Sequence, residues 1–161
     1  MKELFLRKKL TFRTGGKKIV LVKKSNETFE HVAAKAVGYA MYLPVYPQVK
    51  IEVKIGERYK PDLVALNGRG EPVFWAECCM VGKTKIEKIL NKHPSAHFAF
   101  IRVTEHVDQF ADLVSSLRER TRHKGKLDII RLKPPVTRYF DGHDIKVPPF
   151  GEAVEYTAGG G

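Results

Sequence analysis

The sequence predicts a mixed-sheet α/β domain, and three of its features carry that expectation. Apolar residues recur with helical spacing over 29–41, alternating and apolar runs punctuated by turn residues fill 49–79, and short helical and strand patterns take turns from 84 to 132. With 161 residues, 43% of them apolar, the chain is long enough for one domain with a substantial core. That domain is expected to span 1–147, with 148–161 an irregular, partly mobile tail ending in Ala158-Gly159-Gly160-Gly161.

Leu4 to Phe12 and Lys18 to Val22 flank Gly15-Gly16 and read as a β-hairpin. Ser25 and Asn26 are natural caps for the helix that follows. In it Phe29, Val32, Ala33, Ala36, Val37, Ala40 and Met41 make the inward stripe, and Pro44 and Pro47 stop it. Val49, Ile51, Val53 and Ile55 alternate with charged residues as a half-buried strand. Pro61 to Leu66 and Pro72 to Cys79 form a second hairpin about Asn67-Gly68-Arg69-Gly70. A short helix over 84–90, a strand over 98–103, a helix from Val107 to Leu117 and a strand over 127–132 complete the core. Its order is αβββαβ, continued by αβ and preceded by the hairpin. Beyond Pro134-Pro135 the pattern becomes irregular. Asp141-Gly142-His143-Asp144 has metal-ligand residue types but reads first as a turn, and Trp75 reads as core.

The formal charge is +11, and nine Lys or Arg stand against Glu3 in the first 24 residues. Such a balance suits a polyanionic partner, nucleic acid before an anionic membrane, or else a solvated basic surface. No apolar run approaches the ~20 residues that cross a bilayer, and the N-terminus lacks the apolar centre of a secretory signal. The only cysteines, Cys78 and Cys79, are adjacent, which favours a reducing cytoplasm over a disulfide framework or a structural zinc site.

Gly82-Lys83-Thr84 resembles the end of a phosphate-binding P-loop. The first glycine of that motif would fall at position 77, which is Glu77, and Cys78-Cys79-Met80-Val81 supplies no flexible cradle. The motif fails on its own terms.

The acids give a better-founded site. A two-residue loop at Gly68-Arg69 would set Asp62 opposite Trp75, with Glu77 a diagonal neighbour on the same face. Diagonal neighbours lie roughly 7–8 Å apart, near enough for two carboxylates to share a divalent cation. Glu30 falls at the margin of the helix's buried stripe, where a carboxylate needs a partner, while Glu27 points away. Each acid alone also fits an ordinary surface position.

Lys60-Pro61-Asp62, a hairpin, then Ala76-Glu77-Cys78-Cys79 resembles the PD-(D/E)xK nuclease pattern, whose core has this element order and is restriction-endonuclease-like. Within it the chain is most similar to the YaeQ-like proteins. Ser25-Asn26-Glu27-Thr28-Phe29-Glu30, Pro61-Asp62-Leu63 and Phe74-Trp75-Ala76-Glu77 carry the likeness, which covers about residues 18–103. The resemblance implies a site in which Glu30, Asp62, Glu77 and the Cys78 carbonyl hold magnesium or manganese for phosphodiester hydrolysis. Position 79 departs from the motif: its lysine is replaced by Cys79, as in YaeQ-like proteins. Lys83 or Lys85 would reach in to supply the missing charge, unless both are solvated.

The sequence therefore supports one leading function, with two alternatives behind it. The first is a Mg²⁺- or Mn²⁺-dependent nucleic-acid phosphodiesterase. The second is a catalytically degenerate nucleic-acid-binding module of the same fold. The third is an interaction scaffold whose charge is incidental. Lys85, Lys88 and Lys92 share a helix face that fits either a phosphate track or a solvated face. Neither DNA nor RNA is favoured, no membrane partner is implied, and a homodimer is left open.

Overall fold

The computed structural model describes residues 8–159. The expected start of the first strand at Leu4 and the last two glycines of the tail lie outside them. Strands β1 (Lys8–Thr14) and β2 (Lys17–Lys23) form the basic hairpin, followed by helix α1 (Phe29–Tyr42). Next come β3 (Lys50–Ile51), β4 (Leu63–Leu66), β5 (Pro72–Cys78), α2 (Lys83–Lys92), β6 (His97–Val103), α3 (Asp108–Glu119) and β7 (Leu127–Leu132). A 3₁₀ turn (Val136–Tyr139), β8 (Phe140–Asp141), β9 (Asp144–Ile145), α4 (Phe150–Ala153) and β10 (Val154–Ala158) end the chain. The expected αβββαβ order and mixed sheet are present.

Six strands in the order β10-β7-β6-β5-β4-β3 make the central sheet. Strands β5, β6 and β7 run parallel, and the outer strands pair antiparallel. Helices α2 and α3 cover one face through Ile86, Ile89, Leu90, Val114 and Leu117, packed on Trp75, Phe98, Phe100 and Ile129. Helix α1 covers the other face through Ala34, Val37 and Met41. Its far side turns Val32 and Ala36 onto Phe12 and Leu21 of the hairpin. Covered on both sides, α1 is buried from Val32 to Tyr42, and Lys35 is the one charged residue within that span.

Four expectations need correction. Only Lys50–Ile51 of the strand expected over 49–55 pairs, because Glu52 turns to a left-handed φ of 55°. Residues beyond it cross to the α2 side, where Ile55 and Tyr59 join that core. The second hairpin closes through a three-residue loop instead of two. Asn67 Oδ1 accepts from the amides of Arg69 and Glu71, and Gly70 supplies the left-handed residue at φ 77°. A bulge between Ala65 and Leu66 adds a further residue of slip, so that Leu63 pairs with Ala76.

The tail is the third correction. Val154–Ala158 is the sixth strand of the central sheet, antiparallel to β7, and Val154 and Tyr156 pack on the two cores. Finally, Phe140–Ile145 is ordered as a narrow hairpin turning at Gly142 (φ 60°), whose return strand joins β1. Asp141-Gly142-His143-Asp144 is thus a turn.

A buried polar network closes the opposite end of the parallel strands. Asp128 accepts from Tyr42 (2.9 Å), His97 Nε2 (2.7 Å) and Thr157 (3.0 Å), while Tyr46 meets His97 Nδ1 at 2.7 Å. Burial alone would raise the Asp128 pKa, but His97, Tyr42 and Thr157 outweigh it and hold the group below its ordinary 3.8. A depressed carboxylate contributes stability that is complete above the unfolded pKa and lost as pH falls through the folded one. Asp128→Asn is therefore expected to lower the urea midpoint at neutral pH and to abolish the part of acid unfolding that develops below about pH 3.8. Parallel acid-unfolding curves for the two proteins would refute this role.

Candidate acid–lysine site

Glu77 is the penultimate residue of β5, on the face that carries Trp75, and it is 4% exposed. Both of its oxygens are engaged: Trp75 Nε1 donates to Oε2 at 2.9 Å and Lys85 Nζ donates to Oε1 at 2.7 Å. Lys85 reaches it from the first turn of α2, and its ammonium also lies 5.4 Å from the Tyr59 ring centroid. Burial pushes the Glu77 pKa up, and the charge of Asp62 adds to that, against the opposing pull of Lys85 and Trp75.

Asp62 immediately precedes β4. One more step of the observed ladder would set it opposite Glu77, nearer than the diagonal expected from sequence. The chain leaves the ladder there, however, and Asp62 turns towards α1. Its Oδ2 accepts from the Cys78 amide at 2.8 Å and lies 3.4 Å from His31 Nε2. Burial would raise its pKa, but the His31 and Cys78 hydrogen bonds prevail and hold it low. The two acids thus sense each other's charge across the end of the sheet while taking donors from opposite layers.

The third acid differs from expectation. Thr28 caps α1, its Oγ1 accepting from the His31 amide, so the helix starts later than a Ser25 or Asn26 cap implies. Glu30 is exposed on the first turn. Glu27 lies before the helix and enters the cluster, with Oε2 3.0 Å from His31 Nδ1 and 2.5 Å from the Nζ of buried Lys35. Lys35 also donates to Glu52. Sequence reasoning passed over Glu27 and His31, because Glu27 precedes the Thr28 cap, where a helical wheel does not describe its direction.

Cys79 follows the strand at φ 68°, its thiol raised to about 11 by burial and by the charges of Asp62 and Glu30. Such a thiol is protonated at neutral pH and is a poor nucleophile. A small cavity of about 190 Å³ opens between Asn26, Glu27, His31, Cys79 and Met80.

A divalent cation needs free carboxylate oxygens directed at a common point. Here Lys85 and Trp75 occupy Glu77, His31 and the Cys78 amide occupy Asp62 Oδ2, and Glu30 is exposed on the first turn of α1. Among the described residues no three Asp, Glu, His or Cys side chains form a metal cage. The donor set as arranged does not fit the cation. Of the lysines read as a phosphate face, Lys85 is half-buried on Glu77, Lys88 is exposed, and Lys92 lies 3.6 Å from Glu57. Lys83 is exposed at the start of α2.

No family model matches the chain, and no curated protein matches its sequence. Among solved structures, the YaeQ protein from Pseudomonas syringae superposes with a TM-score of 0.63 at 9% identity, over 95% of this chain and 92% of that one. The YaeQ protein from Xanthomonas axonopodis pv. citri gives 0.53 at 14% identity, over 86% of this chain and 82% of that one. At these identities the likeness establishes the shared fold alone. No helix among the described residues is long and apolar enough to cross a membrane.

Proposed function

We propose that this chain is a nucleic-acid-binding module of the PD-(D/E)xK nuclease-like superfamily in which an internal lysine takes the place of the metal. The observation that carries the reading is the Lys85–Glu77 pair. The motif acid at the end of β5 spends one oxygen on an ammonium 2.7 Å away and the other on Trp75. Lys85 thereby compensates the loss of the motif lysine at Cys79 and also removes the acid from metal binding. Binding then rests on charge. Lys8, Lys9, Arg13, Lys17 and Lys18 are exposed on the β1–β2 hairpin, and Lys88 is exposed on α2.

Counterion release gives the reading a quantitative signature. Affinity for a labelled oligonucleotide in EDTA is expected to fall with salt, with a log–log slope of about −0.7 for each phosphate neutralised on single strands and −0.9 on duplex DNA. Lys17→Glu with Lys18→Glu should flatten that slope by roughly one unit for each phosphate that the variant no longer neutralises. Failure to bind at low salt would leave only an interaction scaffold.

A metal-dependent phosphodiesterase is the second reading, favoured by the mutual electrostatic influence of Asp62 and Glu77 at one strand end. It requires Mg²⁺- or Mn²⁺-dependent cutting in the same samples, lost in Glu77→Gln. Binding without cutting supports the module.

A further inference from the structure

The carboxyl ends of β6 and β7 carry a second charged group that the acid–lysine site does not use. Arg102 and Arg131 lie in register on these neighbouring parallel strands. Strands are spaced about 4.8 Å apart, so the two cationic side chains leave the sheet abreast. Like charges so placed oppose pairing, and the compensation is partial. Arg131 Nε donates to Glu155 at 2.9 Å, whereas Arg102 lies over the Phe110 ring at 4.4 Å. Arg102 joins none of the ion pairs among the described residues.

Past the end of β7, Lys133 and Arg138 join Arg131 around a cavity of about 390 Å³ whose walls include Tyr139 and Glu152. Arg131, Lys133, Arg138 and Glu152 thus line it, and Glu155 already compensates Arg131. Short, tethered segments hold them. Arg138 Nη2 donates to the Pro134 carbonyl at 2.7 Å, and the Lys133 amide donates to the Tyr139 hydroxyl at 2.7 Å.

We propose that this cavity is a phosphoryl-binding site. A phosphate monoester brings three acceptor oxygens, which suits Lys133 and Arg138, neither of which joins an ion pair among the described residues. Arginine presents planar donor pairs suited to phosphate oxygens, and lysine adds a point charge. A water molecule occupies about 30 Å³ of liquid, so the cavity has room for the phosphoryl group and part of its carrier. The carrier is either a small phosphate monoester or the phosphorylated end of a nucleic-acid strand. Only the second of these rests on the function proposed above.

Melting curves with inorganic phosphate, against sodium chloride at equal ionic strength, test the site on wild type, Lys133→Ala, Arg138→Ala and the control Lys88→Ala. Phosphate also stabilises folded proteins non-specifically, but that effect is shared by all four proteins. A saturable extra rise is expected in wild type and Lys88→Ala, with apparent affinity at least tenfold weaker in both cavity variants. Lys133→Ala keeps the test valid if loss of the Arg138–Pro134 bond unfolds the chain. Identical phosphate responses in all four proteins, or no rise beyond chloride in wild type, would overturn the proposal. Competition by oligonucleotides with a 5′-phosphate, a 3′-phosphate or neither then identifies the carrier. Preference for a phosphorylated end seats a strand terminus in the cavity, and no preference alongside retained phosphate binding assigns a small monoester. Loss of the phosphate site would leave hairpin-dependent oligonucleotide binding intact, which keeps the two failures apart.

Discussion

Lys35→Ala is expected to lower the unfolding free energy by about 3–5 kcal/mol, the cost typical of breaking a buried ion pair from one side. Lys35 is 1% exposed in the middle of α1, with Nζ bonded to Glu27 at 2.5 Å and also to Glu52. Truncation leaves two carboxylates drawn together without the cation that holds them. Burial would lower the Lys35 pKa, but Glu27 and Glu52 outweigh that and raise it above its ordinary 10.5. Glu27 is held below its ordinary 4.5, burial again being outweighed by Lys35. The lysine's contribution is therefore lost as pH rises through its raised folded value, and that of Glu27 as pH falls through its lowered one. Between about pH 4.5 and 10.5 both are present, so the difference between wild type and variant should be greatest there. Urea denaturation across that range measures it. The triple change Lys35→Met, Glu27→Gln and Glu52→Gln should recover much of the loss, because it removes the charges together with their desolvation cost. A loss below about 1 kcal/mol for Lys35→Ala would show a cluster that behaves like an exposed ion pair.

This cluster also explains where the sequence was legible and where it was not. Helix α1 and the strands β5, β6 and β7 declare themselves through apolar period and flanking turn residues, which is local information. The shortening of β3 is not local: Glu52 leaves the strand direction and meets Lys35, 17 positions away in the chain. The hairpin register depended on the side chain of Asn67, whose two amide hydrogen bonds select the three-residue loop. Val154-Glu155-Tyr156-Thr157 does alternate in strand fashion, but its brevity and the prolines before it masked the signal. The nearness of Asp62 and Glu77 followed from hairpin pairing alone. Their donors did not, since His31 and Lys85 arrive from helices on opposite faces of the sheet. The union of His97 with Asp128 likewise joins the starts of two strands that pair only in the folded domain.

The second large effect concerns Lys85, and it bears on the central claim that an internal ammonium fills the cation position. Lys85→Ala frees Glu77 Oε1 beside Asp62 while leaving the strands that carry both acids unchanged. Without the Lys85 ammonium the Glu77 charge stands uncompensated within the influence of Asp62, and a divalent ion relieves that repulsion. The variant is thus expected to gain Mn²⁺ affinity by at least tenfold, about 1.4 kcal/mol or more. Adding Asp62→Ala should remove the gain. The decisive measurement is calorimetric titration of Mn²⁺ at neutral pH into wild type, Lys85→Ala and Lys85→Ala with Asp62→Ala. The expected result is saturable binding by Lys85→Ala alone. Saturable binding by wild type that disappears on Asp62→Ala or Glu77→Gln would contradict the account and restore the metal-dependent phosphodiesterase.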